Sequence, residues 1–102
     1  MRRWQVPRRF GVIMEDLKLG ELTSRQVEKL LAFQDLDLIV PLGACEQHGP
    51  HLPLATDTTI ADAVAGALSA RATGSPLDLV AAPPVPYGAS GEHDGFAGTV
   101  SI

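Results

Sequence analysis

Long apolar runs and cysteine are both scarce in this chain of 102 residues. No run reaches the roughly 18 to 20 apolar residues that a membrane-spanning helix needs, and Pro41 interrupts the longest one. Cys45 is the only cysteine, which excludes an internal disulfide and favours a reducing, cytoplasmic location. The length allows one small domain at most. The composition therefore predicts a globular cytoplasmic protein that has no membrane partner.

Basic residues are scarce after the first nine positions of the chain. Half of the eight Lys and Arg side chains are arginines within those nine residues, so the rest of the chain carries four basic and twelve acidic side chains. This acidic balance argues against nucleic acid as a partner. For residues 1–13 we predict a disordered basic tail, or a start assigned too early with Met14 as the true start. An anionic partner for the arginines is the less favoured alternative.

The hydrophobic pattern predicts alternating helices and strands. The predicted elements are a helix at 22–33, a strand at 35–44, a helix at 56–74, a strand at 76–86 and the beginning of another strand at 99–102. Thr23 and Gln26 have the spacing of a capping box at the start of the first helix. The run of Leu, Ile and Val in residues 35–44 is typical of a strand buried on both faces.

This order of elements predicts an α/β fold with a mainly parallel sheet flanked by helices. The helix at 56–74 would be the crossover that two parallel strands require. Ligands of such sheets bind outside the carboxyl ends of the strands, so we expect the loops at 43–57 and 87–98 to meet at one site. Two or three strands leave an open edge and a small core, and we therefore expect a truncated domain.

The first of these loops, GACEQHGPHLPLATD, concentrates potential metal ligands in a stretch rich in glycine and proline. Glu46 and His48 are two residues apart, so in an extended segment both side chains point to the same side. Asp57 follows where the next helix is predicted to begin, and the glycine and prolines between them bend and stiffen the connection. Carboxylate and imidazole ligands together suit zinc, manganese or a similar divalent ion.

Each of these residues also has an explanation without a metal. Asp57 could serve only as the N-cap of the helix, Glu46 could pair with an arginine, and His48 could lie in the loop without a ligand. Their occurrence together at the end of a buried strand favours a metal site. Cys45, beside them, is interpreted as a small packed residue rather than a nucleophile.

Two blocks of the sequence resemble the hallmark segments of the creatininase (creatinine amidohydrolase) family. The first block is PLGACEQHGPHLPLATDTTIA, residues 41–61, and the second is PYGASGEHDGFAGTVSI, residues 86–102. The segment LKLGELTSRQVEKL before them is also typical of the family. The resemblance implies that residues 14–102 are the N-terminal portion of a creatininase-like domain, an α/β/α sandwich that becomes a homo-oligomer, commonly a hexamer, at full length.

The resemblance also implies a metal-dependent amidohydrolase with two divalent ions, either Zn, Mn or Fe. Glu46 would ligate one ion, His48 the other, and Asp57 would bridge them. A metal-bound hydroxide would attack the amide carbonyl, because the ions lower the pKa of bound water to about 7. His51 would support the site from outside by fixing a ligand carboxylate.

In the second block, the resemblance implies that substrate contacts come from Tyr87, Ser90, Glu92 and His93. The substrate would be a small or cyclic amide. The second block also resembles the mycofactocin-type peptidases and generic members of the family more than authentic creatininases, so the alternative is a metallopeptidase that acts on a peptide precursor. Members of the family carry a further histidine ligand and an acidic residue in a later part of the chain. A truncated, inactive chain that acts only as a metal-binding or assembly module is therefore the third alternative.

Overall fold

The computed structural model describes residues 18–72 and 79–102 of the chain. Helix α1 spans Ser24–Leu31, strand β1 spans Asp37–Ile39, helix α2 spans Thr56–Ala72 and strand β2 spans Leu79–Ala81. Single turns of 3₁₀ helix occur at Leu19–Glu21 and Gly91–His93. The predicted basic tail at 1–13 lies outside the described residues. Within the described ranges, every helix is too short or too polar to cross a membrane.

The described residues divide into two compact units. The first contains residues 18–39, 66–72 and 79–82, and the second contains residues 40–65 and 83–102. Both strands belong to the first unit, whereas both blocks of potential functional residues belong to the second.

Helix α1 begins with the predicted capping box. The Thr23 hydroxyl accepts a hydrogen bond from the Gln26 backbone N–H at 3.2 Å, and the Gln26 side chain accepts one from the Thr23 N–H at 2.8 Å. These two bonds satisfy N–H groups that the first turn of a helix leaves unpaired. Leu30 of this helix is 7% exposed and packs with Val80 of β2 in the core of the first unit.

Strands β1 and β2 form a parallel pair, which confirms the predicted α/β class. Leu38 lies opposite Val80 in the register, and α2 lies in the connection between the two strands, as a crossover requires. Each strand has three residues and is shorter than its predicted segment. Proline explains the early ends, because Pro41 and Pro83 follow the strands closely and have no N–H for a ladder hydrogen bond.

Strand β1 is more exposed than its apolar sequence predicts. Leu38 is 54% exposed, so the prediction of burial on both faces was wrong, whereas Val80 of β2 is 2% exposed. The same contrast occurs on α2, where Ala65 is buried but Ile60 and Val64 are exposed. An apolar run indicates that burial of its side chains is favourable, but it does not identify the residues that pack against them.

Backbone pairs between its two chain segments hold the second unit together. The Gly43 N–H donates to the carbonyl of Val85 at 2.8 Å, and the Val100 N–H donates to the carbonyl of Cys45 at 2.9 Å. The predicted strand at 99–102 is represented by isolated bridges rather than a regular strand. These pairs bring the two predicted loops together, as the sequence indicated.

Candidate metal-binding site

Three side chains from the loop and the start of α2 converge in the second unit. The potential ligand atoms of Glu46, His48 and Asp57 all lie within 4.8 Å of one another. Glu46 is buried, and the other two residues are partly buried. Two carboxylates and one imidazole form a donor set that suits zinc or manganese. The three predicted ligands are therefore close enough to share one ion, and their role as ligands stays a prediction.

Asp57 lies inside the first turn of α2 rather than at its N-cap, because the helix begins at Thr56. A carboxylate in the first turn is stabilised by the positive end of the helix dipole. Its Oδ1 atom lies 3.3 Å from Nε2 of His48. The position of Asp57 thus gives the helix a favourable charge and gives His48 a negatively charged neighbour.

The loop is held in shape by backbone and hydroxyl hydrogen bonds. The Glu46 N–H donates to the carbonyl of Leu54 at 3.1 Å, and the Thr58 hydroxyl donates to the carbonyl of Ala44 at 3.2 Å. Gly49 adopts a φ of 70°, in the left-handed region that glycine tolerates better than other residues. The loop therefore turns back, and its two ends meet at the start of α2.

The hydrogen bonds of His48 determine which ring nitrogen is available as a ligand. Its Nδ1 atom lies 3.0 Å from the carbonyl oxygen of Glu46. A carbonyl oxygen can only accept, so Nδ1 carries the proton and the lone pair of the neutral ring is on Nε2. This lone pair faces the Asp57 carboxylate, and two electron-rich groups at this distance need a positive charge, either a proton or a metal ion, near them.

The pKa of His48 is raised above its ordinary value of 6.5. The largest cause is the hydrogen bond to the Glu46 carbonyl, which desolvation opposes, and the negative charge of Asp57 and its contact with the ring raise the pKa further. Since the folded protein holds this proton more tightly than the unfolded chain, the group stabilises the metal-free fold fully below pH 6.5. That contribution is lost as the pH rises through the raised pKa.

Asp57→Asn is expected to lower the pKa of His48 in the metal-free protein without returning it fully to the ordinary value. The variant removes the charge of Asp57 but leaves in place the hydrogen bond to the carbonyl of Glu46, which is the largest single cause. An NMR titration of the His48 ring measures the shift. Asp62→Asn, at an exposed position of the same helix, is the matched control and should leave the pKa unchanged. An equal pKa in all three proteins would contradict the contact between Asp57 and His48.

Glu46 also belongs to a second group of potential ligands, with Glu92 and His93. Nε2 of His93 lies 3.9 Å from Oε1 of Glu46. The sequence predicted a contact with substrate for both Glu92 and His93, and that prediction stays open. The additional finding is that His93 lies beside a potential metal ligand.

Gln47 is the residue of this site that the sequence analysis missed. Its side-chain Nε2 lies 3.2 Å from Nδ1 of His93, and its Oε1 accepts a hydrogen bond from the Gly49 N–H at 3.1 Å. Its own N–H donates to the hydroxyl of Thr99 at 3.1 Å. The sequence contained no signal for this contact, because Gln47 and His93 are 46 residues apart.

The remaining predicted site residues differ in their surroundings. Ser90 is fully buried, and its Oγ has no hydrogen-bond partner within the described part of the chain. A buried hydroxyl without a partner costs about 1–3 kcal/mol, so a partner from a ligand would stabilise it. Tyr87 is exposed.

His51 is exposed, and no hydrogen bond or ion pair recorded within residues 18–72 and 79–102 involves it. The predicted support of a ligand carboxylate by His51 therefore stays a prediction, whereas His93 lies 3.9 Å from the Glu46 carboxylate. Cys45 is partly buried, and its Sγ atom lies 3.6 Å from the carbonyl oxygen of Gly98, consistent with a packed residue.

Comparison with known proteins gives the same family from sequence and from structure. The family model described as "Creatininase: Creatinine amidohydrolase" matches residues 20–102. A mycofactocin precursor peptide peptidase of Mycolicibacterium smegmatis is 57% identical over 86 residues, which are 82% of this chain and 33% of that protein. Its counterpart in Mycobacterium tuberculosis is 48% identical over 100 residues, 93% of this chain and 37% of that protein. The creatinine amidohydrolase of Pseudomonas putida is 33% identical over 89 residues, 82% of this chain and 32% of that protein.

Solved creatininase structures have the same fold as this chain. The structure named "Creatininase Mn" superimposes with a TM-score of 0.73 at 32% identity and covers 85% of this chain and 34% of the creatininase. A mutant creatininase described as Zn-Zn type gives a TM-score of 0.64 at 30% identity, with coverage of 82% and 33%. The chain thus spans about a third of the length of the relatives it matches.

Proposed function

Because the chain belongs to the creatininase family, we propose that it acts as a metal-dependent hydrolase of amide C–N bonds and that its substrate is a peptide. The observation that carries this choice is the 57% identity to a precursor peptide peptidase, compared with 33% to a creatinine amidohydrolase. The second block of the sequence, with its mycofactocin-type pattern, supports the same choice. We further propose that the enzyme is a cytoplasmic homo-oligomer.

The donor set of Glu46, His48 and Asp57 fits a divalent metal ion. The Nε2 lone pair of His48 faces the Asp57 carboxylate at 3.3 Å, and an ion between them would replace repulsion by attraction. When bound, zinc, manganese or iron polarises an amide carbonyl and lowers the pKa of water. In this proposal Glu46, His48 and Asp57 would hold the metal, and the resemblance to the family implies that Glu46 and His48 would serve different ions with Asp57 shared between them.

Four residues of the second block would bind the peptide, and Ser90 has the strongest support. Its hydroxyl is fully buried and has no partner in the described part of the chain, so this segment would have to open before a peptide N–H or carbonyl could reach it. Tyr87 and Glu92 are exposed on the same segment and are available to contact side chains of the peptide. His93 lies next to Glu46 at the edge of the ligand set. These residues would hold the scissile amide in place beside the metal site.

Creatinine is the second candidate substrate. It is favoured by the two solved creatininases described above, which match this fold with TM-scores of 0.73 and 0.64 at 32% and 30% identity. The two candidate substrates require binding sites of different shape, since a peptide needs an open groove and creatinine needs a small closed pocket.

A comparison of the rates at which these two substrates are hydrolysed tests the proposal. The full-length protein, loaded with manganese or zinc, is incubated separately with a synthetic mycofactocin precursor peptide and with creatinine, and the products are measured by mass spectrometry. We expect kcat/KM for the peptide to exceed that for creatinine by at least about 100-fold, because a site that binds one substrate through several polar groups rejects another that leaves them unpaired. Chelation should remove the activity and added metal should restore it.

Two other outcomes of this experiment would contradict the peptidase proposal. Hydrolysis of creatinine without cleavage of the peptide would contradict the peptidase proposal and support the amidohydrolase. Tight metal binding without hydrolysis of either substrate would support a metal-binding module without catalysis.

A further inference from the structure

We propose that His93 is a positioning residue that orients the carboxylate of Glu46, and that Gln47 fixes the tautomer His93 needs for this role. The inference rests on the proposed metal-dependent function, since Glu46 is a proposed ligand there. It assigns two residues to the support of the site, one from each block of the sequence.

The orientation of the Gln47 amide follows from its neighbours. The backbone N–H of Gly49 can only donate a hydrogen bond, and it lies 3.1 Å from the Gln47 oxygen. Exchange of the amide oxygen and nitrogen would point two donors at each other. The NH₂ group of Gln47 must therefore face His93, at 3.2 Å from Nδ1.

This orientation determines where the proton of the neutral His93 ring lies. Because Gln47 donates to Nδ1, Nδ1 must accept, and the ring proton is on Nε2. Nε2–H then faces Oε1 of Glu46 at 3.9 Å. That separation is longer than a hydrogen bond, and a movement of about 1 Å would bring the pair into the usual range of 2.7–3.2 Å. Hydrogen bonds of this kind commonly tighten when a site is loaded.

The two histidines beside Glu46 therefore have opposite tautomers. His48 donates from Nδ1 to a carbonyl and keeps a free lone pair on Nε2, which suits a metal ligand. His93 accepts at Nδ1 and carries a proton on Nε2, which suits a donor to a carboxylate. The hydrogen bonds of the two rings thus distinguish His48, a proposed metal ligand, from His93, the proposed positioning residue.

Anchoring bonds keep this arrangement in place. The Gln47 N–H is held by the hydroxyl of Thr99, and the His93 N–H donates to the carbonyl of Ser90 at 2.9 Å. A metal-bound carboxylate is normally fixed by a hydrogen bond from outside, and loss of such a partner commonly costs 10–100-fold in metal affinity. Held on one oxygen by His93, Glu46 would present the other oxygen to the ion.

A pair of His93 variants separates this role from a purely structural one. In His93→Gln the side-chain nitrogen reaches about the position of Nε2, so a donor to Glu46 is retained and the acceptor for Gln47 is lost. In His93→Asn the acceptor for Gln47 is retained and the donor to Glu46 is lost. Metal Kd is measured on the full-length protein by competition with a chelating dye, using zinc and manganese.

We expect His93→Gln to keep Kd within about threefold of the wild type and His93→Asn to raise it by about 10–100-fold. The reverse ranking would overturn the proposal, since it would mean that the ring only anchors Gln47. Equal affinities of the two variants would overturn it as well. Urea unfolding of each metal-free variant checks that a change in Kd does not come from loss of the fold.

The tautomer itself is measured by NMR with histidine-selective ¹⁵N labelling, in metal-free protein at a pH where the ring is neutral. We expect His93 to carry its proton on Nε2, and Gln47→Met to give a mixture of both tautomers together with weaker metal binding. A proton on Nδ1 of wild-type His93 would overturn the role of Gln47, and loss of the Nε2 proton on addition of zinc would identify His93 as a ligand instead.

Glu46→Gln separates failure of this inference from failure of the proposed function. If Glu46→Gln binds metal as tightly as the wild type, the metal function at this site is wrong. If Glu46→Gln weakens binding and His93→Asn does not, the metal function stands and only the role of His93 is wrong.

Discussion

Asp57→Asn is expected to lower the rate of metal-dependent amide hydrolysis by about a thousandfold and to reduce the metal content of the purified protein. The variant keeps the size of the side chain and one oxygen but removes the negative charge that faces Nε2 of His48 at 3.3 Å. Asp57 is also the one carboxylate proposed to contact both ions, so its loss affects each of them. Removal of one group that stabilises charge in an active site typically lowers kcat by 10²–10³-fold. We expect the upper end of this range, because the variant would weaken the binding of both ions.

The measurement combines kcat/KM for the peptide with metal analysis of the same sample. Asp62→Asn makes the same change of charge five residues later on the exposed side of α2, and it should retain activity within about twofold. Asp57→Asn with full metal content and activity within tenfold of the wild type would rule out the proposed ligand set.

Gly43→Ala is expected to destabilise the protein by about 3 kcal/mol. A Cβ atom at this position would lie 2.5 Å from Cα and 2.7 Å from Cβ of Thr58, far inside the normal contact distance. The obstacle includes the backbone of α2, which cannot rotate away as a long side chain can. The loop and the helix would therefore have to separate, and the hydrogen bond from Thr58 to Ala44 at 3.2 Å would be lost.

Since Asp57 precedes Thr58 on the helix, the same substitution should weaken metal binding. Urea unfolding of the metal-free protein gives the stability, and dye competition gives the affinity. Gly91→Ala is the control, because a Cβ at this position meets no atom within 4 Å and the residue is not in the left-handed region. Its free energy of unfolding should change by no more than about 0.5 kcal/mol. Equal stability of the two variants would show that the loop yields to the added methyl group.

Features that depend on neighbours in the sequence could be predicted from the residues alone. The capping box joins Thr23 to Gln26, only three positions later, and it was confirmed together with the helix that follows it. The convergence of Glu46 and His48 follows from the alternation of side chains in an extended segment. The crossover and the parallel pairing follow from the order of elements, because parallel strands need a long connection.

Features that depend on distant parts of the chain could not be predicted in this way. Gln47 and His93 are 46 residues apart, and nothing in their spacing indicates that their side chains meet. Nothing in the composition of β1 indicates that Leu38 stays exposed, because exposure depends on what else packs there. The close approach of Gly43 to Thr58 likewise depends on the final path of the backbone.

The short stretch that contains the proposed ligands also affects the order of events during folding. Glu46, His48 and Asp57 occur within twelve consecutive residues, and the contact between His48 and Asp57 joins residues only nine positions apart. Segments of this length close in about 10–100 ns, long before contacts between distant parts of a chain form. The three proposed ligands can therefore come together before contacts with His93 and Thr99, which lie far along the chain, are formed. In the proposed function, the binding energy of an ion held by this short stretch would contribute to the folding of the segment around it.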